Sequence, residues 1–108
     1  MELLTKLEEL VLIAVLKLKD EAYGISVYKF IACLTGKEVT VSSVYFPLER
    51  LVRKGFLMAS KGKPTPRRGG MSKRYYKLTK SGIRVLQENL SLNITAWEDV
   101  SEMLKAFE

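Results

Sequence analysis

The residues best equipped to do chemistry in this chain are its cations, and they are concentrated in one stretch. Between Glu49 and Glu88 there is no acidic residue. The same stretch holds Arg50, Arg53, Lys54, Lys61, Lys63, Arg67, Arg68, Lys73, Arg74, Lys77, Lys80 and Arg84, which are 12 of the 18 Lys and Arg in the sequence. All 12 acidic residues lie elsewhere, so the remainder is net negative although the whole chain carries +6. A solvated face mixes signs, because like neighbours repel and opposite ones support each other. Segregation of this kind points to a polyanionic partner.

Catalysis is poorly served by the remaining side chains. There is no histidine, which removes the usual general base and the commonest metal ligand. Cys33 is the single cysteine, with no cluster of carboxylates beside it to complete a metal site. Neither an enzyme nor a cofactor is expected. Cys33 lies off the apolar face of its helix and has two readings, a thiol sensor and an inert small hydrophobe, of which the second is preferred because free cysteine commonly behaves as a small hydrophobe. A lone cysteine accords with a reducing, cytoplasmic setting. No apolar run reaches the roughly 18 residues of a membrane span, and the start lacks the cleavage pattern of a signal peptide.

The elements that must position these cations follow from periodicity. With 108 residues and 47% hydrophobic side chains, the chain has the size and content of one domain with a core. Leu3 to Leu18 reads as a helix apolar on several faces, and hence buried on several sides. Either its second side belongs to another subunit, or it is a central helix within one chain. A second helix is expected from about Ala22 to Thr35, capped by Gly36. A third runs from about Val41 to Lys54, with Thr40 as N-cap, Gly55 as stop, and a kink expected at Pro47. Its inner face carries Val44, Leu48, Leu51 and Val52. Its outer face carries Ser42, Phe46, Glu49, Arg50 and Arg53, with Tyr45 at the edge.

Phe56 to Lys61 and Lys73 to Leu78 read as strands, joined by the basic Gly62–Gly70 loop into a β-ribbon or wing. A last helix is expected from Lys80 to Phe107. Ile83, Leu90, Trp97 and Leu104 recur in it at heptad spacing, with Leu86, Ile94, Val100 and Phe107 alongside. The expected fold is mainly α with a small β-hairpin: a winged helix-turn-helix over residues 1–79, followed by a C-terminal dimerisation helix over 80–108.

Particular residues sharpen this. Ala22-Tyr23-Gly24-Ile25, Ser43-Val44-Tyr45, Leu48-Glu49-Arg50-Leu51 with Gly55-Phe56-Leu57, Arg67-Arg68-Gly69-Gly70, and Lys73-Arg74-Tyr75-Tyr76-Lys77-Leu78-Thr79-Lys80-Ser81-Gly82 together resemble the PadR family of bacterial regulators. The last run is the most specific. The short chain resembles the branch with a single C-terminal dimerisation helix. The resemblance implies a homodimeric repressor of transcription that binds double-stranded DNA, with a small hydrophobic or aromatic effector in many members. One departure stands out: the family usually has proline directly after the recognition-helix tyrosine, whereas here Phe46 follows Tyr45 and proline comes next, as Pro47.

The third helix is expected in the major groove. Ser42 and Ser43 either meet bases and phosphates or cap the helix. For Tyr45 the readings are a phosphate contact and a core-edge ring. For Phe46 they are a thymine methyl and packing under the wing or on another subunit. Arg50 either reaches DNA or pairs with a carboxylate such as Glu49. Arg53 and Lys54 are expected on phosphates or bases, and Lys63, Arg67, Arg68 and Lys73 on the backbone or in a minor groove. The expected dimer seam comprises Leu3, Leu4, Leu12, Leu90, Ile94, Trp97, Val100, Leu104 and Phe107. Trp97 either lines an effector cavity or is packed core. The competing function is a winged-helix protein-interaction module, and a basic recognition face argues against it.

Overall fold

A computed structural model describes residues 1–62 and 73–108; the Lys63, Arg67 and Arg68 assignments lie outside the described residues. The elements are α1 (Lys6–Leu18), a 3-10 turn (Lys19–Glu21), α2 (Gly24–Thr35), α3 (Val41–Arg53), β1 (Leu57–Lys61), β2 (Arg74–Leu78), α4 (Lys80–Trp97) and α5 (Val100–Lys105). They form a mainly helical fold with one antiparallel hairpin, in the order of a winged helix-turn-helix.

Helix starts are set by side-chain caps. Thr5 and Glu8 form a capping box at α1, the Thr5 hydroxyl accepting from the Glu8 amide and the Glu8 carboxylate from the Thr5 amide. This places the start after Leu3 and Leu4 rather than before them. Thr40 and Ser43 repeat the arrangement at α3, and Thr79 caps α4. Gly36 closes α2 in the left-handed conformation, as its position suggests.

The first helix, α1, was open to two placements, and the chain uses it as its own centre. Val11, Leu12, Ala14 and Val15 are at most 2% exposed. They meet Val27 and Ile31 of α2, Val44, Leu48 and Leu51 of α3, Leu57 and Tyr76 of the hairpin, and Val85 of α4 in one core. Leu12, expected at a subunit seam, has no surface left to offer a partner. Leu4 is likewise turned inward, because Asn89 of α4 grips the segment around it: its side-chain oxygen accepts from the Leu4 amide, and its side-chain amide donates to the Glu2 carbonyl. Leu3 remains 70% exposed.

Alternation along the strands puts Leu57 and Tyr76 on the core side and Met58 and Lys77 outside. β1 pairs with β2 from Leu57 opposite Leu78 to Lys61 opposite Arg74. The Tyr76 amide also donates to the Ala22 carbonyl, so the turn before α2 lies along the outer edge of β2. The α3 helix continues through Pro47, which is buried.

The C-terminal helix is not continuous. Asp99 adopts the left-handed conformation, and α4 ends at Trp97 before the short α5 begins at Val100. Aspartate is one of the few residues that visits this conformation readily. The heptad pattern therefore spans two helices. Asn93 makes the last polar tether to the body, donating to Glu9, and every residue beyond it except Val100 is exposed. The molecule measures 57 × 30 × 20 Å, consistent with a projecting arm.

At the root of that arm, Gly82 lies against the backbone of Phe56, between α3 and β1. A Cβ there would sit 2.0 Å from the Phe56 carbonyl oxygen, which is backbone and cannot swing aside. Gly82→Ala should therefore destabilise the fold by roughly 1–3 kcal/mol through overpacking. Urea denaturation measures it, and an unchanged midpoint would show that the spacing between the Phe56 backbone and α4 is not fixed at this point.

Candidate nucleic-acid interface

Helix α3 is amphipathic: Val44, Pro47, Leu48 and Leu51 are buried, while Val41, Ser42, Tyr45, Phe46 and Arg53 are exposed. Polar bonds along both flanks hold it in this rotation. On the α1 side, Arg50 donates to Glu8 at 3.0 Å, and Lys54 donates to both Glu8 and Glu2. On the hairpin side, Glu49 accepts from the Tyr76 hydroxyl at 2.6 Å and pairs with Arg74 at 3.0 Å.

These contacts redistribute the expected site residues. Arg50 does pair with a carboxylate, but with Glu8, 42 residues away, rather than with its neighbour Glu49. Lys54, expected on DNA, is bound into the same cluster. Among the described residues, Arg53 makes no ion pair and faces solvent. The Ser43 hydroxyl is used by the N-cap, donating to the Thr40 carbonyl and accepting from its amide. Ser42 is exposed, 3.3 Å from the Thr40 hydroxyl. Tyr45 is not a core-edge ring: it is 52% exposed and meets Phe46 edge-on, with ring centres 5.9 Å apart. Lys73, just before β2 begins, holds its ammonium 3.7 Å from the centre of the Tyr23 ring.

Four residues that organise this surface were given no role from the sequence: Glu2, Glu8, Asn89 and Tyr76, the last quoted only as part of a motif. Glu8 had a legible signal, since Thr5-x-x-Glu8 is a capping-box pattern. Its ion pairs to α3 had none, because both partners are more than 40 residues away.

Glu8 is 1% exposed, so burial works against its ionisation. The Thr5 amide, followed by the Arg50 and Lys54 donors, outweighs that penalty and draws the carboxyl down to about 2. A carboxyl whose folded pKa is depressed contributes stability that is present above its unfolded value and lost as pH falls toward the folded one. Stability of the wild type should fall between about pH 4.5 and 2, by an amount on the order of 2–3 kcal/mol from this group. Glu8→Gln should be less stable at neutral pH and lose that part of the acid dependence. Urea titrations across pH check this, and an identical acid slope in both proteins would refute it.

Comparison with known proteins agrees with this arrangement. Residues 12–88 match the model of the transcriptional regulator PadR-like family. Among solved structures, a transcriptional regulator from Clostridium thermocellum superposes with a TM-score of 0.70 at 18% identity, covering 88% of this chain and 89% of the other. A PadR-like transcriptional regulator from Bacillus cereus gives 0.68 at 20% identity, with coverage of 94% and 89%. A PadR family transcriptional regulator from Eggerthella lenta gives 0.68 at 25% identity, with coverage of 88% and 80%. A comparison with curated protein sequences finds no match. Proteins of this family regulate transcription and are not enzymes, and among the described residues no helix is long and apolar enough to cross a membrane. With the family model matching most of its length and the winged helix in place, the chain belongs to the PadR-like family of transcriptional regulators.

Proposed function

We propose that this DNA-binding regulator acts as a homodimer that recognises specific duplex sequences and represses transcription, in a cytoplasmic setting. The observation that carries the dimer is the apolar stripe left uncovered along the arm. Leu90, Ile94 and Trp97 lie on one side of α4 and are 57–66% exposed; Leu104 on α5 and Phe107, just past its end, are 53% and 87% exposed. Leu3 is exposed as well, and large apolar side chains left together in water mark an interaction surface. Val100 is half-buried and contributes less. Residues 80–108 serve in this reading as the dimerisation element, and residues 1–79 as the DNA-binding unit.

DNA contact on this reading comes from α3 and from the cations of residues 61–77. Ser42, Tyr45, Phe46 and Arg53 present the front of α3. Lys63, Arg67, Arg68 and Lys73 supply backbone contacts that position the protein without selecting sequence. Arg50, Lys54 and Ser43 hold the helix in place. The front of α3 is apolar and hydroxylated rather than basic as expected, so the case against a protein-interaction module rests on the 12 cations without an acid between Glu49 and Glu88.

Truncation after Asn93 tests the dimer, because it removes exposed seam residues and keeps both asparagine tethers. The shortened chain should remain folded, sediment as a monomer, and lose tight operator binding, since two half-sites held by one dimer act together. A truncated chain that still sediments as a dimer would overturn the seam. For the intact protein, contact with about 6–10 phosphates gives a log–log salt slope of about −5 to −9. A slope near zero would remove the electrostatic argument, and Arg67→Ala with Arg68→Ala should weaken binding to many sequences alike.

A small hydrophobic or aromatic effector is the further element of this proposal, with Trp97 as the wall of its site. Trp97 is 65% exposed in the single chain, so either an effector or the partner helix covers it. Trp97→Ala separates the two. A ligand wall predicts a folded dimer without the fluorescence response of the wild type to planar aromatic compounds. Packed seam predicts a weakened dimer.

A further inference from the structure

The front of α3 is short of the groups that most often read bases. Arginine on guanine is the commonest specific contact in the major groove. Val41 to Leu48 contains no charged residue. Of the three cations further along, Arg50 and Lys54 are engaged by Glu8 and Glu2. Arg53 stands alone in the last turn, far from the N-terminal half that lies nearest the bases in helix-turn-helix docking. Hydroxyls are also few, since the Ser43 hydroxyl is used by the cap.

What this half presents instead is apolar. Phe46 is 63% exposed, Tyr45 52% and Val41 49%. Phe46 meets the Tyr45 ring edge-on, with ring centres 5.9 Å apart. An exposed aromatic pair at this place forgoes burial in the core, so a partner surface has to recover it. The major groove offers one apolar feature on its base edges, the 5-methyl group of thymine.

We infer that Phe46, braced by Tyr45, reads thymine 5-methyl groups in the major groove, and that sequence choice by this protein depends on methyl contact more than on guanidinium–guanine pairing. The inference rests on the DNA-binding reading above and names the chemical group that it selects. The Phe46-Pro47 order contributes directly: the buried Pro47 occupies the inner face, and the residue before it is left at the front with a full aromatic side chain.

The test starts from a duplex selected by the intact protein out of a random-sequence pool. Each thymine in a half-site is replaced in turn by deoxyuridine, which deletes the methyl and keeps the pairing. Binding by the wild type should weaken about fourfold at one or two positions per half-site, and about fifteenfold when both half-sites are changed, from the loss of buried methyl surface. Phe46→Ala should bind the thymine duplex correspondingly less well and no longer distinguish deoxyuridine at those positions. Phe46→Leu, which keeps an apolar side chain, should retain part of the discrimination and guards against a folding defect in the alanine variant. Duplex binding that is indifferent to deoxyuridine everywhere overturns the inference and leaves the DNA-binding reading intact. Undiminished discrimination by Phe46→Ala overturns it too, by moving the contact to another residue. Absence of duplex binding at low salt overturns both readings.

Discussion

The carboxylate of Glu8 is taken out of water where α1, α3 and the N-terminal segment converge, and its neutralisation sets the position of the recognition helix. An isolated buried charge is costly, so Arg50 and Lys54 must reach it. A buried ion pair adds little net stability over a well-packed apolar replacement, yet removing one partner is expensive. Its effect here is on geometry. Arg50 and Lys54 lie one turn apart on α3, and both can meet Glu8 in only one rotation of that helix.

Glu49 performs the corresponding task on the opposite flank, with the Tyr76 hydroxyl and Arg74. Tyr76 is 4% exposed, and its hydroxyl is pushed well above its ordinary value, first by burial and then by the carboxylate beside it. It stays protonated and donates. Adjacent residues of one motif, Glu49 and Arg50, thus pull α3 toward the hairpin and toward α1. The motif residues of the hairpin, Arg74 and Tyr76, are the other half of that clamp. The same polar framework extends to the arm, since Asn89 fastens residues 2–4 to α4 and Glu2 of that segment bonds Lys54. A displacement of α4 and one of α3 therefore share a common set of bonds.

This division leaves the cations of the chain with unlike roles. Arg50 and Lys54, at the C-terminal end of α3, hold the fold, and the solvent-facing front of the helix is apolar and hydroxylated. Charge attraction to a polyanion then falls to the hairpin region and Arg53. Such contacts carry little sequence information, which suits a positioning role. Selectivity, on the proposed reading, falls to the uncharged side chains of the first two turns.

Much of this was legible in the sequence. Helical periodicity placed α2 and α3, because each has one apolar face and capping residues at its ends, and the Gly- and Pro-rich loop between two short strands placed the hairpin. Charge segregation pointed to a polyanionic partner, and the motif residues, the Arg74–Gly82 run above all, carried the resemblance to the family. Three features were not legible. The start of α1 hinged on whether Thr5-x-x-Glu8 outranked the apolar Leu3 and Leu4. The break at Asp99 is a single backbone conformation inside an otherwise favourable heptad. The employment of Arg50 and Lys54 by Glu8 depends on partners that folding brings together from more than 40 residues apart. Sequence determined which residues are apolar, charged or able to cap, since these are properties of side chains and their spacing. Only tertiary structure decided which charges are already paired, because pairing depends on distances across the chain that no local pattern encodes.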